Sequence, residues 1–281
     1  MKISTGTYVI CHGVLLPAIF TIFDKNNQFP VKITFLGTGT SQGVPIIACN
    51  CKVCTSENSR DKRLRSSLLI QDEGVTVVID AGPDFRQQML RAKVQNLDGL
   101  LLTHGHKDHI GGMDDLRAFN WILKRPIDVY LKADVQADVE REFSYAFTEE
   151  KYPGVPELEL HQIDNKPFFV KSLEFTPIHV MHFKLPILGF RYKNFAYITD
   201  GSYISPKEKL KITGLDTLVI NGLRKEPHYS HFNLAQALDV IKEANPKHAF
   251  ITHISHALGL HNEIENELPE RVHLAYDGLQ I

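Results

Sequence analysis

The run Thr103–His109 (THGHKDH) places His104, His106, Asp108 and His109, three imidazoles and a carboxylate, within six residues, directly behind the apolar stretch Leu100–Leu102. Neutral imidazole nitrogen and carboxylate oxygen suit Zn²⁺, Mn²⁺ or Fe, and ligands this close on one loop can hold two ions side by side. Side chains of an extended segment alternate with period two, so His104 and His106 face one way and are expected to share an ion. Asp108 and His109 follow the turn that precedes Gly111 and Gly112, where the chain can approach closely, and are expected to face a second ion.

Further ligands have to come from other strand ends, where a rigid scaffold holds loops at a fixed place. Asp200 follows Ala196–Thr199, and its two oxygens can bridge two ions; His253 follows Ile251 and Thr252 in the same way. His179 and His182 compete for one place. His182 is preferred because it is expected beyond the strand, in a loop, whereas His179 reads as a strand residue satisfied in the core. A second set is Cys49, Cys51 and Cys54 (CxCxxC), three thiolates at a spacing suited to zinc. Its fourth donor is open between His256, three residues after His253, and Cys11.

The elements that position these groups begin at Val31. Apolar, β-branched runs at Val31–Leu36, Ser67–Ile70, Val75–Ile79, Leu100–Thr103, Ile127–Leu131, Leu173–Ile178, Ile187–Tyr192, Phe195–Thr199, Leu218–Ile220 and Ala249–Thr252 read as strands. Helices are expected from Pro83 to Ala92, Asp114 to Leu123, Val135 to Phe147, and from an Asn233 cap to Ala244. Each half of this pattern contains strands and helices. The arrangement that covers the most apolar faces is α/β: a four-layer αββα sandwich of two mixed sheets with helices on the outer faces.

Composition bounds the partners. The 281 residues are 43% hydrophobic and 23% charged with a net charge of −2, so the basic footprint that dominates nucleic-acid affinity is missing. Arg60, Lys62, Arg63 and Arg65 form a local basic cluster, read as a solvated loop before a strand, with phosphate contact as the alternative. The Cys spacing argues against a disulfide framework and for a reducing, cytoplasmic setting. Residues 1–30 read as an N-terminal extension to a 31–281 domain; their apolar stretch Val14–Phe23 is broken by Pro17, too short to span a membrane and a poor export signal. The Gly37–Gly43 segment lacks the ending of a nucleotide-binding P-loop and reads as tight turns.

HxHxDH followed by two glycines, with a later His, an Asp after a strand and a final His, resembles the metallo-β-lactamase fold superfamily over about Val31 to Ile281. The resemblance implies that His104, His106 and His182 hold one ion and that Asp108, His109 and His253 hold the other, with Asp200 bridging. It also implies that Asp80, in VVIDAG (Val77–Gly82), orients a ligand His, where its local sequence alone reads as a turn Asp. The stretch Leu36–Pro45 (LGTGTSQGVP), CxCxxC and Thr252–His256 (THISH) is similar to the phosphoribosyl cyclic phosphodiesterase (PhnP-type) branch. That likeness implies a structural zinc on Cys49, Cys51, Cys54 and His256 beside two divalent active-site ions, Zn or Mn. It further implies that His231 contacts the scissile phosphate and protonates the leaving oxygen, an exposed, roleless His being the alternative there and the better reading for His228. Asp277 matches the branch's terminal pattern as a supporting residue.

The expectation is a dinuclear phosphodiesterase acting on a small, cyclic phosphodiester through a metal-activated hydroxide held by Asp108, with no membrane or nucleic-acid partner and with a homodimer allowed. The rivals are a tRNA 3′-processing nuclease or thioesterase on the same fold, and a non-catalytic PqqB-like cofactor-biosynthesis protein.

Overall fold

The computed structural model describes residues 31–150 and 152–281. The readings of residues 1–30 as an extension and of Cys11 as a zinc ligand lie outside the described residues. The first half forms a six-stranded sheet in sequence order: β1 (Lys32–Gly37), β2 (Ser67–Asp72), β3 (Val75–Ile79), β4 (Gly99–Leu101), β5 (Ile127–Leu131) and β6 (Leu158–Gln162). The second half adds β7 (Phe168–Val170), β8 (Leu173–His182), β9 (Leu185–Tyr192), β10 (Phe195–Ile198), β11 (Tyr203–Ile204), β12 (Thr217–Asn221), β13 (His248–Thr252) and β14 (Val272–Leu274). These form a second sheet in the order β11-β8-β9-β10-β12-β13-β14, with β7 paired to β8.

Alternation along the strands sorts side chains into three apolar layers. Leu68, Ile70, Val77 and Ile79 of the first sheet meet Phe175, Leu188, Phe190, Tyr197 and Val219 of the second in a core between the sheets. On the other face, Leu69, Val78, Leu100 and Val129 pack under α1 (Phe85–Ala92), α3 (Arg117–Leu123) and α4 (Ala133–Glu142); the four-residue α2 (Lys107–Ile110) lies between α1 and α3 in the chain. Ala196, Ile198, Leu218, Ile220 and Ile251 pack under α6 (Leu234–Ala244), between α5 (Pro206–Lys209) and α7 (His261–Glu265). The result is the expected four-layer αββα sandwich. Among the described residues no helix is long and apolar enough to cross a membrane.

The topology explains where a site can form. β3 and β4 run parallel, as do β10, β12 and β13, so their C-terminal ends come together at one edge of each sheet. A backbone hydrogen bond from Leu188 N to Thr103 O (3.0 Å) ties the second sheet to the loop that follows β4.

Three local expectations change. The strand expected to end at Ile178 continues through His182, because β9 pairs with it from Phe175 to His182 and β11 caps its other edge at Val180 and Met181. His182 is therefore the last strand residue rather than a loop residue. The Arg60–Arg65 cluster is solvated only in part: Arg60 is exposed, but Arg63 is buried and donates to Thr38 Oγ1 (2.9 Å), Ala275 O (2.5 Å) and His261 Nδ1 (3.1 Å). Arg65 pairs with Asp84 at 3.0 Å. The helix expected from Asp114 starts as a 3-10 turn, Met113–Leu116, and becomes α-helical only at Arg117.

Candidate metal centre

Asp80, Asp200 and His253 each stand one or two residues beyond a strand, and each has a left-handed backbone, with φ of 64°, 59° and 54°. Non-glycine residues avoid this region, and such outliers gather where the chain must aim a side chain. Here the turn bends the chain sharply at the strand end and points the functional group across the sheet edge. Asn221 holds one such turn: its Oδ1 accepts from Gly201 N (2.7 Å) and its Nδ2 donates to Gly201 O (2.9 Å).

Asp80 is fully buried. Its Oδ1 accepts from Thr103 N (2.9 Å), and its Oδ2 accepts from Thr103 Oγ1 (2.9 Å) and His109 Nδ1 (2.7 Å). This fixes the His109 tautomer with Nε2 as the free lone pair, as expected of a residue orienting a ligand His. Gly82 lets the chain pass directly against the backbone of Asp108, where any Cβ would collide with the Asp108 carbonyl.

The structure brings the predicted ligands together. Donor atoms of His104, His106 and His182 lie within 4.8 Å of one another, as do those of His104, His109 and Asp200. His104 Nε2 is 3.0 Å from His106 Nδ1. His182 Nδ1 faces the carbonyls of Asp200 (2.9 Å) and Ser230 (2.8 Å), so it carries the proton and leaves Nε2 for the cluster. Asp200 is the hub: its Oδ2 lies 3.2 Å from both His109 Nε2 and His253 Nδ1, while its Oδ1 lies 3.2 Å from His231 Nε2. Asp108 Oδ2 is 3.1 Å from His109 Nε2. His179, on the opposite face of β8, stays outside; its backbone N–H donates to Glu208 Oε2 (2.7 Å).

Two observations fit this donor set to cations. His109 Nε2 and His253 Nε2 are buried without an aligned hydrogen-bond partner, a costly state for a polar atom unless something else binds it. Three carboxylates, Asp80, Asp108 and Asp200, also surround one buried imidazole, an uneconomic charge density in a dry interior without positive charge among them. The titration directions agree. Burial opposes protonation of His109, but Asp200, Asp108 and Asp80 draw it well above the usual imidazole range. Burial pushes His104 well down and His253 down to about 4. Burial works against ionisation of Asp200, yet His253 and His109 hold it well below the carboxylate range.

The second set also assembles. Cys49, Cys51 and Cys54 Sγ lie 3.3, 3.3 and 3.5 Å from His256 Nδ1, donor separations compatible with a tetrahedral Cys₃His zinc. Ile46 N donates to Cys54 Sγ (3.4 Å) and Cys54 N to Cys51 Sγ (3.5 Å), the hydrogen bonding usual around thiolates. Between this set and His253, Ile254 exchanges backbone hydrogen bonds with Thr38 and Thr40, so the Gly37–Gly43 segment pairs with the THISH loop. Asp277 supports that segment from behind, accepting from Thr38 N (2.9 Å), Thr38 Oγ1 (2.8 Å) and Leu64 N (2.8 Å).

His231 is 3.2 Å from Asp200 and shares its Nδ1 side with Ser230 Oγ (2.9 Å) and His228 Nδ1 (3.2 Å), so neither histidine is an isolated loop residue. With His182 and Asp200 it also forms a donor group close enough to hold a metal. Sequence reasoning missed Thr103, Asn221, Ser230 and Ser66, whose Oγ lies 3.2 Å from His253 Nδ1. Asn221 carried a signal, a polar residue closing the fully apolar run Leu218–Ile220; Thr103 and Ser66 are small hydroxyl residues whose partners Asp80 and His253 are distant in sequence, and Ser230 sits beside its partners His228 and His231 without a motif to mark it.

A model of the Beta-lactamase superfamily domain matches residues 75–254. The chain belongs to the metallo-β-lactamase superfamily. Within it, a crystal structure of a diphosphatase from the PhnP family is similar with a TM-score of 0.84 and 35% identity, covering 89% of this chain and 97% of that one. The chain is thus of the PhnP type within that superfamily. An octanoyltransferase of Porphyromonas gingivalis is 42% identical over 253 residues, 89% of this chain but 51% of that protein, so the chain spans about half its length. Coenzyme PQQ synthesis protein B of Methylorubrum extorquens is 27% identical over 222 residues, covering 68% of this chain and 72% of that protein. The short form of human tRNase Z shares the fold alone, with a TM-score of 0.67 and 18% identity.

Proposed function

We propose that the protein hydrolyses small phosphodiesters, cyclic ones included, with two divalent ions, Zn or Mn, at the Asp200 cluster. His104, His106 and His182 would hold one ion; Asp108, His109 and His253 would hold the other, with Asp200 shared. Cys49, Cys51, Cys54 and His256 would hold a third, structural zinc. The observation that carries the reading is Asp200, one of whose oxygens meets His109 and His253 while the other meets His231, so that two donor groups and a further imidazole converge on one carboxylate. Such ions, when bound, lower the pKa of water and offset charge on phosphoryl oxygens.

The chain's own groups do the rest. Asp108, the cluster carboxylate most open to solvent, holds the attacking water in line with the phosphorus. His231 donates a proton from Nε2 to the departing oxygen, its ring held by Ser230 Oγ on the Nδ1 side. Asp80, Thr103 and Asn221 keep His109 and Asp200 aimed, so that little reorganisation is needed during reaction. The similar diphosphatase of the PhnP family supports phosphoryl chemistry at this site and extends the candidate bonds to a P–O–P linkage. The partners proposed are a small phosphate ester and, at most, a second copy of the chain.

A second reading, thioester hydrolysis, draws on the name of the longer octanoyltransferase relative. A panel of 2′,3′-cyclic nucleotides, linear diesters, diphosphates, octanoyl thioesters and precursor tRNA, assayed with Zn²⁺ and with Mn²⁺, separates these readings. Turnover of thioester with no turnover of any phosphate ester would overturn the proposal.

A further inference from the structure

We propose that Phe183 and Tyr229 form a stacking platform for a planar base, so that the substrate is a nucleobase-bearing phosphate ester rather than a bare sugar phosphate. The proposal deepens the phosphoesterase reading and rests on it for the reacting group.

The two residues lie next in sequence to cluster members: Phe183 follows His182, and Tyr229 precedes Ser230 and His231. They are 54% and 74% exposed, and their rings meet edge to face with centroids 5.6 Å apart. Large apolar rings left in water beside a polar cluster mark a binding surface. Phe183 also has a left-handed backbone, φ 54°, and its N–H donates to Ser202 Oγ at 2.9 Å. A bulky residue is disfavoured in that conformation, where Gly or Asn would turn the β8–β9 hairpin more cheaply. The fold thus keeps an aromatic residue at a position that disfavours one.

The rings continue an aromatic path out of the cluster. His231 packs 5.1 Å from His228, and His228 stacks on Tyr229 at 4.5 Å with planes 27° apart. Those two steps put the Tyr229 ring within about 10 Å of His231, close enough for one nucleotide to touch both. Lys184 Nζ, 5.4 Å from the Phe183 ring, adds positive charge beside the platform for a second phosphate or a polar base edge. Stacking tolerates any base because every base has a π face, so the platform selects for a base without selecting which one.

The test compares 2′,3′-cyclic AMP with the base-free methyl riboside 2,3-cyclic phosphate, using metal-loaded protein and the variants Phe183→Ala, Tyr229→Ala, the double variant and Tyr229→Phe. The double variant is expected to lower the ratio of kcat/KM for the base-bearing over the base-free ester by about tenfold, the low end of what truncating a stacked aromatic costs. The loss should lie in KM, and Tyr229→Phe should restore most of it. An unchanged ratio would overturn the platform. Calorimetric binding of AMP and of ribose 5-phosphate gives a readout independent of turnover: wild type should bind AMP more tightly, and the double variant should lose about tenfold for AMP. If neither ester is hydrolysed, the phosphoesterase reading fails, while the AMP titration still decides the platform; equal AMP affinity in both proteins refutes it.

Discussion

Replacing Asp80 with Asn isolates the contribution of one hydrogen bond to metal binding. In the native protein Asp80 Oδ2 accepts from both Thr103 Oγ1 (2.9 Å) and His109 Nδ1 (2.7 Å), while Oδ1 accepts from Thr103 N (2.9 Å). Asn has the same shape and keeps the backbone contact through its carbonyl oxygen, and its amide can donate to the rotatable Thr103 hydroxyl. Toward His109 it offers a donor to a donor. The imidazole relieves that conflict by moving its proton to Nε2, the atom 3.1 and 3.2 Å from Asp108 and Asp200, and so loses the lone pair the cluster needs. One charge-assisted hydrogen bond is worth about 1.5–3 kcal/mol, and each ~1.4 kcal/mol is a factor of ten. Metal affinity at this half of the cluster should therefore fall about 10- to 100-fold, the range typical of losing a group that orients a ligand. Activity titrated against added Mn²⁺ or Zn²⁺ should shift by that factor and recover at high metal, with thermal stability of the chelated protein changed by no more than about 3 kcal/mol. Wild-type metal affinity and activity in this variant would refute the argument that Asp80 sets the His109 tautomer.

Three further outcomes follow from the same geometry. His231→Ala should lower kcat by about 10² to 10⁴ with both cluster metals retained; loss of one metal instead would make His231 a ligand, as its grouping with His182 and Asp200 allows. Cys51→Ser should remove one zinc per chain by native mass spectrometry and cost about 3 kcal/mol or more, a Tm fall of roughly 6–12 °C; unchanged zinc content and Tm would exclude the Cys₃His site. His261 is pushed down to about 4 by burial and by the Arg63 guanidinium that donates to it, so the unfolded chain takes up this proton first as pH falls. Stability from this group is present above about pH 6.5 and is lost progressively toward pH 4; urea unfolding of His261→Gln should show a flatter dependence across that window, and an equal slope would refute the assignment.

The parts of the site that were legible in the sequence are those set by local spacing. HxHxDH follows from residues in one loop, and Asp200 and His253 follow from a rule about strand ends that the left-handed turns now explain. His182 was chosen over His179 for a reason the structure does not support: it ends a strand. The choice still lands on the residue that joins the cluster, because alternation along β8 sends the two histidines to opposite faces. β6 escaped notice because Leu158–Gln162 is a partly exposed edge strand with little apolar contrast. Arg63 could not be read correctly from its neighbours, since what buries it, Thr38, Ala275 and His261, comes from both ends of the domain. The same holds for the Phe183–Tyr229 pair, whose significance comes from a contact across 46 positions between two loops that local patterning does not connect.

Whether the Asp200 cluster hydrolyses phosphate esters is decided by steady-state turnover of a 2′,3′-cyclic nucleotide by metal-loaded wild type and Asp108→Ala, with metal content measured on the same samples. Turnover should disappear on chelation, return with Zn²⁺ or Mn²⁺, and be abolished in Asp108→Ala. Wild-type turnover in an Asp108→Ala protein with unchanged metal content would contradict this reading.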